Sequence, residues 1–402
     1  MSPPKTYPLF SRFGVELEYM IVSLDSLSVL PISDRLIEAA NGTPEPEILR
    51  GEMAWNNELV LHLIEFKTAE PAHTLVGIDR QIAKEIADAN AILANKGAIL
   101  MPTGMHPWMV PKIETLLWPH EGREIYQTFH KLFNCKRHGW ANLQSIHLNL
   151  PFKDDAEFER LHAAIRVLLP LIPALAASTP FVEGKKSGFI DYRMEVYRTN
   201  AVKVPRITGL VIPEVAVSKN DYHKSILDPI YKDIRPIDPK GVLQEEWVNA
   251  RGCIARFERN TIEIRVIDTQ ESPTADLAIL QAIVHVLKKL TEEGRADELN
   301  ALSTDELHAI FCQVISKGEE TLIDNSRYLK AFGQTTPMKA KDLWKKLLSD
   351  LKLEAPYQER LDHIFKHGTL STRLLRHFDK GEKLESIYRQ LTRNLADGQP
   401  FV

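Results

Sequence analysis

The sequence predicts an α+β protein, on three observations. Four separate stretches alternate apolar and polar side chains with the period of two that marks a strand. Asn260 sits between two such runs as a hairpin turn residue. Long segments elsewhere repeat apolar residues at helical spacing, and the tail from Lys339 onward reads as helix throughout. With 402 residues, 44% of them hydrophobic and 26% charged, the chain has ample material for a large core; length alone allows two or three domains or one large domain with appendages, and the chain is read as a single large domain over 1–402.

Composition narrows the partners. Fifty basic and 54 acidic residues leave a formal net charge of −4, which gives no general pull toward nucleic acid or an anionic membrane. The N-terminal MSPPKTYPLFSRF lacks the apolar core of a signal peptide, and no apolar run reaches the ~18 residues of a membrane span. Cys135, Cys253 and Cys312 lie far apart without a CxxC pair. They fit reduced thiols of a cytoplasmic protein better than a zinc site or a disulfide framework.

The first strand organises the rest. In Phe13–Val22, the residues Val15, Leu17, Tyr19 and Ile21 form the apolar set, which leaves Glu16 and Glu18 together on the opposite face. Two carboxylates about 7 Å apart on an apolar strand repel each other and lose hydration. A divalent cation is the usual compensation, and a solvated face is the plain alternative. Next come a turn region at 25–31 and a short helix at 34–40. The run 57–68 reads as a strand or a pair of strand pieces, with Glu65 and Lys67 on one face and Ile64 and Phe66 on the other. Glu58 lies seven residues before Glu65, so a bend is needed to bring the two to one face.

Helical spacing over 74–95 ends at Gly97. A buried strand follows at 98–102 and an amphipathic helix at 122–133. Residues 145–150 form the third charged-face strand: Ile146, Leu148 and Leu150 point one way, and Ser145, His147 and Asn149 the other. Residues 154–177 are helical, capped by Asp154 or Asp155 and kinked or ended by Pro170 and Pro173. The Gly- and Lys-bearing loop 178–189 leads to Arg193 and Arg198, side chains suited to gripping a carboxylate or phosphate. The segment 199–246 carries several prolines and little periodicity, and reads as an insertion or lid over a site. The hairpin 252–268 places Glu263 and Arg265 on one face, with Arg256 on the neighbouring strand. Helices follow at 276–290 and 303–314, the second with a Ser303/Glu306 capping box. The helices of 339–402 read as a layer covering the sheet, ending near Gly368, Gly381 and Gly398, with an approach of Gly368, Thr369 and Arg373 to the site from outside as the lesser alternative.

Solvated strand faces favour Thr, Lys, Ser and Gln. Here the faces carry Glu16, Glu18, Glu65, His147 and Glu263, accompanied by Arg256 and Arg265. Hard oxygen donors hold Mg²⁺ or Mn²⁺, and arginines neutralise phosphate oxygens, so the set points to a site for a metal and a polyphosphate.

At these residues the chain resembles the carboxylate–amine ligase family related to type 2 glutamate–cysteine ligases. The stretches that carry the resemblance are FGVELEYMIV, NELVLHLIEFKT, SIHLNL, STPFVEGKKSGFIDYR, TIEIRVIDTQ and HGTLSTR, spread over roughly residues 10–395. The resemblance implies a glutamine synthetase-like catalytic fold: a curved, mostly antiparallel sheet with helices packed outside. It also implies ATP-dependent amide formation, with small-molecule acid and amine substrates, and leaves a homo-oligomer open. By position, Glu16, Glu18, Glu65, His147 and Glu263 match the metal-binding residues, and Arg256 and Arg265 match positions near the phosphates. Arg193 matches an arginine expected near the substrate carboxylate, and Glu58 an acidic position sometimes tied to the amine. The chain departs from the pattern where Lys185, Lys186 and Asp191 replace a richer Ser/Gly loop, and where Asn149 occupies the second place of a His-x-His pair.

The implied chemistry is a carbon–nitrogen ligation through an acyl phosphate, γ-glutamyl in type if the acid is glutamate. Arg265 and Arg256 would stabilise the transferring phosphoryl group, and Glu58 would accept the amine's proton. Three other readings stay open on the sequence: a guanidino-type phosphotransferase on the same fold, a metal-dependent hydrolase (though no nucleophile motif is present), and a nucleotide- and metal-binding regulatory protein without turnover. Nothing in the spacing names the acid or the amine.

Overall fold

The structure, a computed structural model, describes residues 5–402. Its frame is one antiparallel sheet of eight strands. These are β1 (Gly14–Ser23), β2 (Glu47–Arg50), β3 (Met53–Asn57), β4 (Leu63–Thr68), β5 (Ala98–Met101) and β6 (Ser145–Pro151), then β9 (Cys253–Arg256) and β10 (Thr261–Asp268). A separate small hairpin, β7 (Phe181–Val182) and β8 (Lys185–Lys186), lies between them in sequence. The order across the sheet is β2-β3-β4-β1-β6-β10-β9, with β5 paired to the end of β1.

Register decides what the sheet presents. Glu16 stands opposite Lys67 on β4 and His147 on β6, Glu18 stands opposite Glu65, and Glu263 opposite Asn149. Residues paired across an antiparallel ladder point to the same side. The acids and His147 therefore share one face, spread over β4, β1, β6 and β10. The other face carries Val15, Leu17, Tyr19, Ile64, Phe66, Ile146 and Leu148, all fully buried. Helices Ile78–Ala94, Asp155–Leu168 and Pro273–Leu290 pack behind it. Each large apolar side chain so buried contributes about 1.5–3 kcal/mol. A one-residue slip of any central strand would forfeit several of these and drive carboxylates into the core, so the register is strongly fixed.

The run 57–68 divides. The chain leaves β3 at Asn57, turns through Glu58–His62 and re-enters the sheet at Leu63. That turn supplies the bend that the seven-residue interval between Glu58 and Glu65 requires. The helix expected over 74–95 begins only at Ile78, because Gly77 before it holds a left-handed φ of 92°. The stretch 154–177 breaks at its prolines into Asp155–Leu168, a tight turn Leu169–Leu171 and Pro173–Ala176, and the Asp154 carboxylate caps it by accepting from the Glu157 N–H at 2.9 Å. The Ser303/Glu306 capping box is present as read.

Within 199–246 lie short helical pieces, including Lys219–Tyr222 and Asp228–Ile234 joined by a wider turn. Ile207, Val211, Tyr222, Ile230 and Leu243 from this segment are buried in the same hydrophobic core as the sheet. The tail forms helices Ala340–Leu347, Ala355–His367, Leu370–Asp379 and Leu384–Asp397, packed on Pro273–Leu290, on β5 and on each other. Arg373 does not approach the charged face. Its guanidinium is buried against Glu271 at 2.7 Å, while Thr369 caps its own helix and bonds Glu319. Among the described residues, no helix is long and apolar enough to cross a membrane.

One core residue makes a measurable prediction. His162 is fully buried, stacked on Phe158 at 5.3 Å, and neither ring nitrogen has a partner among the described residues. Burial, followed by the nearby Arg166 charge, lowers its pKa to about 3. With the folded value below the unfolded one, the native state binds fewer protons, so His162's contribution is full above about pH 6.5 and is lost as pH falls toward 3. His162→Phe lacks this titration. Its stability relative to the parent should improve by about 2 kcal/mol between pH 7.5 and pH 5, read by urea unfolding at both pH values. A pH-independent difference would show that His162 is not held neutral.

Candidate active site

The charged face is assembled by hydrogen bonds that fix each side chain. The Glu18 carboxylate accepts from the Ser145 N–H at 2.7 Å and from the Ser145 hydroxyl at 3.1 Å. Ser145 Oγ lies 3.0 Å from His147 Nε2, and the other ring nitrogen lies 2.9 Å from Glu16 Oε2. Asn149, at the place of a second histidine, donates to Glu16 Oε1 at 3.1 Å, while its own carbonyl oxygen is buried without a partner among the described residues. Glu263 Oε1 lies 3.9 Å from His147 Nδ1 and 3.1 Å from Arg265 Nε, and its second oxygen lies 3.5 Å from Arg256. Arg256 also pairs with Glu258.

The electrostatics are unbalanced. Burial pushes the Glu65 carboxyl well above the usual carboxylate range, and the charges of Glu16 and Glu58 add to this. Its only ion-pair partner among the described residues is Lys67, 4.0 Å away. Burial and then the Glu18 charge push Glu58 up to about 8. Burial acts the same way on Glu16, but the hydrogen bond and charge of His147, with Lys67 and Arg259, outweigh it and hold this acid at about 2. The imidazole responds in kind: burial works against its charged form, yet Glu16, Glu263 and Glu18 raise its pKa. More buried acid is gathered here than the local cations neutralise, so some carboxyls must stay protonated or positive charge must be supplied.

The donor set fits a hard divalent cation. Glu16, Glu65 and His147 bring one ligand atom each to within 4.8 Å of one another, and so do Glu18, Glu58 and Glu65. Carboxylate oxygens and one imidazole, with no thiolate, suit Mg²⁺ or Mn²⁺. Glu263 stands beside these groups and links them to the two arginines.

Two cavities flank the cluster. One, of about 210 Å³, has Glu18, Glu58, Ser145, His147 and Arg265 at its charged end. Arg193, Tyr197 and Asn200 line one side of it, and Tyr126, Phe129, Trp140 and Trp247 also line it. The other, of about 480 Å³, reaches Glu16 and Asn149 and carries Arg12, Lys67 and Arg259 among its lining.

The structure thus gathers Glu16, Glu18, Glu58, Glu65, His147, Glu263, Arg256 and Arg265 about one sheet face. Arg193 reaches the first cavity, where it is buried and paired through Nε with Asp268. The carboxylate of Asp268 is itself clamped by the Ser178 N–H at 2.8 Å and the Thr179 hydroxyl at 3.0 Å. Arg198 lines neither cavity. The i,i+3 spacing lets its guanidinium, just past the end of the short helix Tyr192–Tyr197, pair with Glu195 at 2.6 and 2.8 Å. Sequence reasoning missed Tyr126, Phe129, Trp140, Tyr197 and Trp247. Aromatics on helices and turns read as core, and only the convergence of distant segments turns them toward a cavity.

The fold and this site define a class. The chain superposes on a glutamate–cysteine ligase from Francisella tularensis, solved in complex with AMP, with a TM-score of 0.60 at 12% identity, covering 99% of this chain and 90% of that one. It also superposes on a bifunctional glutathione synthetase from Pasteurella multocida with a TM-score of 0.62 at 12% identity, spanning 97% of this chain but 53% of that protein. An uncharacterized protein of Archaeoglobus fulgidus is 36% identical over 327 residues, 79% of this chain and 87% of the relative. A Herpetosiphon aurantiacus protein with the provisional name glutamate–cysteine ligase 2 is 23% identical over 395 residues, 96% of this chain and 94% of its own. The sequence profile of glutamate–cysteine ligase family 2 matches residues 12–392, and the chain belongs to that family. It is a glutamate–cysteine ligase-like enzyme.

Proposed function

We propose that this chain uses ATP to join a carboxylic acid to an amine through an acyl phosphate. One observation carries the reading: a stack of acids and one imidazole, crossed by Arg265 and Arg256, lies between two cavities. A carboxylate resists attack by an amine at neutral pH. The substrate carboxylate oxygen takes the γ-phosphoryl group: an O–P bond forms, the bond to the β-phosphate oxygen breaks, and ADP leaves. The amine nitrogen then attacks the acyl carbon, a C–N bond forms, phosphate leaves, and the ammonium proton passes to Glu58. Mg²⁺ or Mn²⁺ held by Glu16, Glu18, Glu65, His147 and Glu263 would neutralise the phosphate oxygens. Arg265 and Arg256 stabilise the charge of the transferring group, and Arg193 orients the acid. The AMP in the Francisella structure supports a nucleotide here, and the family's name makes glutamate the first acid to test, giving a γ-glutamyl amide.

Heavy-oxygen labelling tests the intermediate. When the acid's carboxylate is labelled, one label should appear in the released phosphate. Unlabelled phosphate would rule out the acyl phosphate.

The metal assignment has its own signature. Glu65→Gln removes a repelled, buried carboxylate, so the metal-free variant should match or exceed the parent in thermal stability. The same change should abolish the rise in Tm that MgCl₂ gives the parent, because binding to the native state alone stabilises it. An undiminished magnesium shift in the variant would remove Glu65 from the ligand set.

A further inference from the structure

The aromatic side of the first cavity is unlike the rest of the site. Phe129, Trp140 and Trp247 come from three separate elements: helix Arg123–Phe133, the short helix His138–Ala141, and the turn Glu246–Val248. Their rings meet. Phe129 lies 5.3 Å from Trp140 and 5.8 Å from Trp247, centroid to centroid. The cluster is fixed from behind, since Phe133 stacks on Trp140 at 5.4 Å and the indole N–H of Trp140 donates to the Asn200 carbonyl at 3.0 Å. Yet all three remain half-buried and line the cavity. Rigid rings left facing a void are a recognition surface for flat apolar groups.

Its position relative to the chemistry says which substrate meets it. Glu58, proposed to take the amine's proton, lines the same cavity. Beside it, Asn57 donates to the Tyr126 hydroxyl at 3.0 Å, and Tyr126 lies one helical turn from Phe129. Glu58, Tyr126 and the three rings all line this one cavity. Arg193 and the buried hydroxyl of Tyr197, which has no partner among the described residues, offer a separate polar berth for the acid in the same cavity. The nucleotide's phosphates have cations in the other cavity, at Arg12, Lys67 and Arg259.

Resting on the ligase reading above, we propose that the amine this chain joins carries a flat apolar substituent, an arylalkylamine or an aromatic amino acid, seated against Phe129, Trp140 and Trp247. A side chain as small as that of cysteine leaves these rings facing water. Since a single methylene in an apolar pocket already changes kcat/KM by about tenfold or more, a whole ring should be discriminated at least as strongly.

The test is a competition between amines on the full chain with Mg-ATP and glutamate. Phosphate release is followed with phenylethylamine, tryptamine and phenylalanine against cysteine, alanine and methylamine, and binding of phenylethylamine is followed separately by tryptophan fluorescence. The expected result is kcat/KM at least tenfold higher for one of the aromatic amines than for cysteine, with saturable quenching by that amine. Trp247→Ala should raise KM for the aromatic amine at least tenfold relative to KM for ATP. A preference for cysteine or another small amine overturns the substrate assignment while the ligase stands. A rise in KM for ATP alone would overturn it too, by giving the wall to adenine. Saturable quenching by phenylethylamine without phosphate release from any pair would support the aromatic site and sink the ligase. Neither quenching nor release overturns both.

Discussion

Glu263→Ala should abolish the proposed ATP-dependent phosphate release, with an expected loss in kcat/KM of about a thousandfold or more. Glu263 is the junction of the site. Its carboxylate lies 3.1 Å from Arg265 and 3.5 Å from Arg256, and 3.9 Å from His147. Removing it takes away a proposed metal donor and at once releases two arginines from their partner. Breaking a buried pair from one side costs about 3–5 kcal/mol of stability, so the alanine variant is to be read beside Glu263→Gln, which keeps the shape and the hydrogen-bonding oxygen. Both should lose turnover, and Glu263→Gln should keep the parent's circular dichroism. Glu16→Ala should behave alike, because Glu16 orients His147 through a 2.9 Å contact. Near-normal turnover in Glu263→Gln or Glu16→Ala, measured as phosphate release, would remove that acid from the site's chemistry.

Arg265→Lys should lower kcat by about a hundredfold to a thousandfold, the expected cost of losing one preorganised donor to a transition-state charge. Burial works against the Arg265 charge, but Tyr197, Glu263 and Glu18 more than offset this and raise its pKa above the ordinary arginine value. It is a fixed cation at the charged end of the cavity. Lysine keeps the charge but not the planar fork that spans two oxygens. The loss should therefore fall on the phosphoryl-transfer step and leave nucleotide affinity nearly unchanged. Single-turnover ATP consumption and equilibrium binding separate the two. A variant that binds Mg-ATP more weakly but turns over normally at saturation would make Arg265 a ground-state anchor only.

Period-two alternation makes the sheet and its charged face legible in the sequence. Glu16 and Glu18 had to share a side, as did Ser145, His147 and Asn149, because strand geometry leaves no other choice. What alternation does not contain is register. That Glu18 meets Glu65, and Glu16 meets His147, follows from pairing between strands some 50 and 130 residues apart in sequence. The bend at 58–62 was demanded by the odd interval between Glu58 and Glu65, although its exact place was not. Arg193 and Arg198 show the limit of residue type as a guide. Both are arginines after the same loop, but one is buried beside the cavity on Asp268 and the other is spent on Glu195 one helical turn away. Arg373 was similarly taken by Glu271. The aromatic wall was illegible, because each ring alone is an ordinary core residue and only the third dimension brings three of them to one void.

The most direct measurement is the product of the complete reaction. Purified protein is incubated with Mg-ATP, glutamate and one amine at a time, and phosphate is counted against product identified by mass spectrometry. The expected outcome is phosphate release that requires both acid and amine, one amide formed per phosphate, and none of either once EDTA removes the metal. Release of ADP with a phosphorylated amine in place of an amide would make the enzyme a phosphotransferase. Tight Mg-ATP binding with no release from any acid–amine pair would contradict ligase turnover altogether.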